Sequence, residues 1–287
     1  MNNKLKITVI GAGGKMGTRV TNNLAKHPDE IELYFVENSP SGIEGVKSRG
    51  FSTTDMELAL PSADITVLAV PDTLIKVVSK EVTPKLKKGS ALIILDPAAA
   101  VARELTMRND CTFAVAHPCH PSYFLDQDTY EARHDYFGGL GGKQDIVVAK
   151  IQGQEDVFQS ARKVAEIMFE PVVNSYVLDV RDIAFLEPTL VELLGATCLN
   201  AMAETVREAK RRGIPEQAAI SFLAGHIYNL TANFLGFLGN TKVSDACQVA
   251  MDIGGRLVLR EDWKKIWKDE VLDKVIGTML HPENPQI

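Results

Sequence analysis

The sequence predicts an α/β protein, with a parallel sheet domain over residues 1–180 and an all-helical domain over residues 181–287. Three observations carry this. Short continuous apolar runs alternate with helical patterns in the first half, as in strands buried on both faces. A glycine-rich loop joins the first run to the first helix. From about Arg181 onward only helical patterns remain.

The strands are expected at 5–10, 31–36, 65–70, 91–95, 112–116, 146–150 and 172–177, with helices over 16–26 and 156–168. Residues 121–143 break the pattern: Pro121-Ser122-Tyr123 opens a polar stretch that ends in Gly138-Gly139-Leu140-Gly141-Gly142. A long irregular segment in a compact domain is functional or mobile, so a flap beside a site is expected. Ile183–Arg212 is apolar on nearly every face and predicts one buried central helix, ended by Gly213-Ile214-Pro215. Further helices are expected over 217–237, 244–258 and 262–279. Helices this apolar need partners, which points to a homodimer.

The bulk properties exclude several functions. The chain has 287 residues, 45% of them hydrophobic, and a net charge of −6. That balance is not the basic footprint of a nucleic-acid binder. No run is long and apolar enough to span a bilayer. Met1-Asn2-Asn3-Lys4 leads directly into the first strand, so no signal peptide is expected. Cys111, Cys119, Cys198 and Cys247 show no paired spacing, as in a reduced, cytoplasmic protein.

The loop Gly11-Ala12-Gly13-Gly14-Lys15-Met16-Gly17 follows a strand and precedes a helix. That setting suits a dinucleotide diphosphate, which needs close backbone approach and a helix N-terminus, and makes the domain Rossmann-type. The spacing is G-x-x-G-x-x-G with Gly13 added; Met16 stands where a strict G-x-G-x-x-G would place its third glycine. Glu37 ends the second strand, 20 residues beyond Gly17. A carboxylate there accepts the ribose hydroxyls and repels a 2′-phosphate, so the expected cofactor is NAD. Pro71 and Asp72, at the end of a later strand, are expected against the ribose or nicotinamide, and Asp96-Pro97 lies on the same edge.

Chemistry is expected on the next strand edge, Ala116-His117-Pro118-Cys119-His120-Pro121. His117 suits a metal ligand or an acid/base group, with His120 a second candidate. Glu187 lies in an apolar stripe with Ile183, Leu190, Val191 and Leu194 and is followed by Pro188. A carboxylate there is costly unless paired or bound to metal. Glu192 points about 140° away on ideal α-helix geometry and is an acid/base candidate. His226, Asn229 and Asn233 form a polar stripe, and Arg256 and Arg260 suit a substrate carboxylate or ion pairs with Glu261 or Asp262. Nothing in the sequence activates Cys119 as a nucleophile.

The order of parts resembles the 6-phosphogluconate dehydrogenase and β-hydroxyacid dehydrogenase superfamily across most of the chain. The glycine loop is similar to that of dihydrodipicolinate reductase. One departure is plain: the superfamily's lysine, four residues before an asparagine, is replaced by Ala196 before Asn200. A metal acting as Lewis acid, as in ketol-acid reductoisomerases, is one replacement for it. With His117-Pro118 on the rim and Glu187-Pro188 on the helix, the chain looks most like the D-apionate oxidoisomerase group. The resemblance implies NAD-linked oxidation of a branched sugar acid, with a metal-assisted shift of a carboxyl-bearing group. The expectation is therefore an NAD-dependent oxidoreductase acting on a small hydroxy acid or sugar acid. His117 and Glu187 are the metal ligands, and His117 and Glu192 the catalytic residues. The alternatives are a metal-free dehydrogenase with His117 as base, or a non-catalytic NAD-sensing protein.

Overall fold

A computed structural model describes residues 4–287; the lead-in residues Met1-Asn2-Asn3 lie outside that range. The chain forms two compact units, one running to Phe185 and taking back Asp273–Ile287, the other spanning Leu186–Leu272. The expected border at 180/181 does not coincide with this division, because the last helix returns to the first unit.

The first unit alternates strands and helices: β1 (Leu5–Ile10), α1 (Lys15–Leu24), β2 (Ile31–Val36), α2 (Pro40–Ser48), α3 (Met56–Ala59), β3 (Ile65–Leu68), α4 (Asp72–Val82), β4 (Ala91–Ile94), α5 (Ala98–Val101), β5 (Thr112–Pro118), α6 (Tyr130–Arg133), β6 (Gln144–Gln152), α7 (Glu155–Met168), β7 (Val172–Val177) and α8 (Val180–Ala184). The seven strands form one sheet in the order β2-β1-β3-β4-β5-β6-β7. Adjacent residues point to opposite faces, and both faces are covered. Val67 and Ile93 pack with Val20, Leu24, Phe158 and Ala161 from α1 and α7. Their neighbours Leu68, Leu92 and Ile94 pack with Ile75 and Val82 from α4 on the other face. This double burial is why the strands read as unbroken apolar runs.

One sheet expectation needs correction. β6 runs antiparallel to β5, pairing His117 with Val147 and Pro118 with Ile146. A parallel return needs a crossover, usually helical. The 119–143 connection contains only the short α6, so β6 runs back alongside β5. α7 then supplies a crossover, and β7 lies parallel to β6.

The second unit is helical. A π-helical segment, Phe185–Ala196, begins at its border and is followed by α9 (Thr197–Arg211), α10 (Glu216–Phe234), α11 (Asp245–Val258) and a 3-10 turn (Trp263–Trp267). Then α12 (Asp269–Leu280) leads back into the first unit. The single buried helix expected over 183–212 is instead α8, the π segment and α9 in succession. Ile183, Ala184, Pro188 and Thr189 are buried, but Leu190, Val191, Leu199 and Met202 are exposed. Pro188, inside this stretch, cannot donate an intrahelical hydrogen bond, and wider i→i+5 turns are the local answer.

Candidate active site

β1 lies between β2 and β3, so the connections from its C-terminal edge diverge and leave a crevice there. A cavity of about 760 Å³ fills this place, lined by Gly11, Gly13, Gly14, Glu37, Pro71 and Leu74, among others. Gly11 adopts φ +78°, and a Cβ there would meet the Ala69 carbonyl oxygen at 2.4 Å. Gly13 packs on Gly42, whose carbonyl oxygen would stand 2.1 Å from an added Cβ. The loop thus keeps bare backbone against the cavity, as a diphosphate requires.

Glu37 stands at the end of β2 and reaches back over this loop. Its Oε2 accepts from Gly13 N–H at 3.0 Å, and its Oε1 accepts from the N–H groups of Asn38 and Ser39 and from Ser39 Oγ. Burial disfavours the charge, but these hydrogen bonds outweigh it, and the carboxyl lies below the usual carboxylate range. An ionised acid is therefore fixed at the cavity wall.

The other loop residues are placed differently. Met16 packs against the core. Gly17 is buried beneath Gly11, whose carbonyl oxygen would lie 2.0 Å from a Cβ at 17. Asp72 is the first residue of α4, beside the lining residue Pro71. Lys15 turns to the ring of Phe137, with Nζ 3.8 Å from the centroid.

His117 sits near the C-terminal end of β5. Its Nδ1 lies 2.7 Å from the Leu95 carbonyl oxygen, so Nδ1–H donates and the Nε2 lone pair is kept for a ligand or a proton. Burial lowers its pKa, so the imidazole stays neutral. Asp96, buried at the end of β4, offers a carboxylate oxygen within 4.8 Å of a His117 ring nitrogen. Its Oδ1 also accepts from Ala98 N–H at 2.7 Å. An imidazole and a carboxylate this close suit a divalent ion. Asp96 was visible in the sequence only as a possible contact; its pairing with His117 depends on β4 and β5 being neighbours.

His120 lies three residues on, with φ +62°. Its ring stands 6.4 Å from that of His117 and nearly perpendicular to it. The thiol of Cys119 is pushed up to about 11 by burial and by Asp145. A nucleophilic thiolate is not available there.

In the helical unit, i→i+5 turns bring positions 187 and 192 nearer one side than α-helical geometry allows, which corrects the expected 140° separation. Glu187 is half-buried and Glu192 exposed. His226 and Asn229 line an open groove of about 490 Å³ with Ser221, Phe222 and Gly225. Arg260 pairs with Asp262 at 3.3 Å, one of the ion pairs anticipated for it.

The sheet order, the glycine crevice and the acid at the end of β2 define a dinucleotide-binding oxidoreductase. Comparisons place it further. Residues 125–280 match the family of the phosphogluconate dehydrogenase (decarboxylating) C-terminal domain. Residues 1–135 match the NADPH-binding domain of acetohydroxy acid isomeroreductase. A D-apionate oxidoisomerase of Blautia hydrogenotrophica is 67% identical over 99% of both chains. That of Pectobacterium atrosepticum is 39% identical over 96% of this chain and 95% of its own. Among solved structures, a Cupriavidus necator protein described as a semialdehyde dehydrogenase NAD-binding protein, in complex with calcium and NAD, superposes with a TM-score of 0.92 at 40% identity. The match covers 96% of this chain and all of that one. The chain belongs to the D-apionate oxidoisomerase family, within the phosphogluconate dehydrogenase-like oxidoreductases.

Proposed function

We propose that this protein oxidises and isomerises D-apionate, a branched sugar acid, with NAD as hydride acceptor and a divalent metal at the rim. The observation that carries the substrate is the 67% identity, end to end, with a D-apionate oxidoisomerase. The fixed carboxylate of Glu37 supports NAD, since a 2′-phosphate would meet its charge. The NAD-bound relative agrees with that choice.

Gly11, Gly13 and Gly14 admit the diphosphate, and Pro71 closes the cavity beside it. Met16, Gly17 and Asp72 complete the loop and helix starts that shape the cofactor site, whereas Lys15 opens α1 and turns its ammonium to Phe137. NAD held in this cavity would supply the hydride acceptor for oxidation of the substrate carbinol. His117 and Glu187 would hold the metal, with the Asp96 carboxylate beside His117. A divalent ion there supplies Lewis-acid polarisation of the substrate oxygen. The Leu95 carbonyl fixes the His117 tautomer whose Nε2 carries the lone pair. Glu192 exchanges the substrate hydroxyl proton. An imidazole beside carboxylates suits a zinc-type divalent ion, and the solved relative is described in complex with calcium.

The assembly is proposed to be a cytoplasmic homodimer. α9 and α11 bury no residue within the chain, and large apolar side chains such as Phe222 and Leu257 are exposed. Surfaces of this kind mark interfaces. All four cysteines are free, which fits a reducing compartment. No described helix is long and apolar enough to cross a membrane.

The test is a panel of sugar acids assayed for NADH formation, with added divalent metal and with a chelator. D-apionate should reduce NAD faster than NADP, and the chelator should suppress the rate. No NADH from any acid would remove the enzymatic reading. Activity untouched by chelation would leave His117 as a general base instead.

A further inference from the structure

The connection between β5 and β6 is fastened to α1 by a set of contacts the cofactor does not require. Arg19, 4% exposed, donates from Nη1 to the Phe137 carbonyl at 2.7 Å and from Nη2 to Gln144 Oε1 at 2.6 Å. Its guanidinium also faces the rings of Phe137 and Phe169 at 5.1 and 5.2 Å. The same Phe137 carbonyl accepts from His120 Nδ1–H at 2.7 Å, which locks that ring as the tautomer whose Nε2 accepts hydrogen bonds. His120 is held in a left-handed conformation that a non-glycine residue seldom adopts. This architecture aims one imidazole beside His117.

Charge in the cluster does not balance. Lys15 and Arg19 are cationic, and the neighbouring acid is Asp135. Both Asp135 oxygens are taken by its own loop: Oδ1 accepts from Gly138 N–H, and Oδ2 from Leu140 and Gly142 N–H, at 2.7 to 3.0 Å. Among the described residues no carboxylate pairs with Lys15. Its ammonium is instead steadied on the face of Phe137, outside the lining of the cofactor cavity. His120 packs on the same ring, at 5.4 Å between centroids.

We propose that Lys15 and His120 form the recognition subsite for a 2-hydroxycarboxylate: Lys15 pairs with the carboxylate, and His120 Nε2 accepts from the adjacent hydroxyl. Arg19, Asp135 and Phe137 position the pair. Choosing D-apionate as the acid rests on the function proposed above. The subsite itself does not, and a smaller probe tests it separately.

In steady-state assays with NAD, Lys15→Met should raise KM for D-apionate roughly 10- to 100-fold, the scale of a lost charged hydrogen bond. KM for NAD should stay constant, and Lys15→Arg should restore most of the loss. Lys15 is exposed and unpaired by any described acid, so the fold should tolerate the change. Phe137→Leu, which keeps the anchoring carbonyl, should show a smaller rise in the same KM. Independently, D-glycerate binding to the NADH-loaded protein is followed by NADH fluorescence. Lys15→Met should weaken it at least tenfold, and His120→Ala should abolish the preference for D-glycerate over 3-hydroxypropionate. A rise confined to KM for NAD would assign Lys15 to the diphosphate and overturn the proposal. Equal glycerate binding by wild type and Lys15→Met, or no binding by wild type, would also overturn it. A wild type that binds glycerate but leaves D-apionate untouched would sink the proposed substrate and spare the subsite.

Discussion

The two units of this chain treat apolar side chains in opposite ways. In the sheet unit, α1 and α7 each turn a buried stripe to the strands; Val20, Leu24, Phe158 and Ala161 are no more than 2% exposed. In the helical unit, α9 and α11 bury nothing, and α10 buries only Ala232. Short isolated helices are marginal in water, so most helical stability comes from packing an apolar face. The sheet unit finds its packing within one chain. The helical unit is long on apolar surface and short of chain to cover it, and the proposed homodimer supplies the missing half.

The cofactor cavity and His117 lie in the sheet unit, the exposed apolar helices and the acids Glu187 and Glu192 in the helical one, and single substitutions can probe each. The largest effect should come from His117→Ala: a loss in turnover of roughly 1,000-fold or more, in the range of lost acid/base or metal catalysis. NAD affinity, read by fluorescence titration, should stay close to wild type. Unchanged turnover would remove the rim from the mechanism. Next is Gly17→Val, which drives a side chain into the Gly11 carbonyl. A loss of about 1–3 kcal/mol, read by denaturant unfolding, is the usual cost of such overpacking.

A third substitution attacks assembly. Leu257→Glu, placed on the exposed face of α11, should shift the protein from dimer to monomer in sedimentation while leaving the sheet unit folded. A monomeric wild type would break the comparison outright. Glu37→Gln should be milder: KM for NAD should rise about tenfold and the preference over NADP should narrow, as expected from losing one charged hydrogen bond. The smallest effect should be that of Cys119→Ser. With its thiol raised to about 11, only about one sulfur in a thousand is ionised at pH 8. Activity should therefore survive both the substitution and alkylation. Inactivation by alkylation that the serine variant escapes would revive a thiol mechanism.

Glu37 also sets a pH dependence. Its pKa is depressed in the fold, so its contribution to stability is present above the pKa of the unfolded carboxyl. That contribution fades as pH falls through the lower, folded value. Acid titration of wild type and Glu37→Gln should converge at low pH, and parallel curves would contradict the hydrogen-bonded geometry.

What the sequence revealed follows from the range of the forces involved. β1, β2 and β7 lie at the expected residues because double burial or an edge position leaves a local pattern. The short helices α2, α3 and α5 carry too few turns for a periodicity to mark them in the sequence. Glu37 and His117 were legible because strand ends mark where a Rossmann sheet binds. Asp96 beside His117, and Phe137 between Lys15 and His120, were not. Those neighbours are 17 to more than 100 residues apart in the chain, and only the sheet order and the β5–β6 connection bring them together.

The return of Asp273–Ile287 to the sheet unit governs how the molecule is made. Glu104 holds His281 through a 2.8 Å bond across 177 residues, and Arg181 meets Asp273 at 3.0 Å. Such distant pairings form late, because loop closure precedes their reward. During synthesis the unit that begins first is thus also the unit that finishes last, and the whole helical unit must be made before the sheet unit gains its final helix.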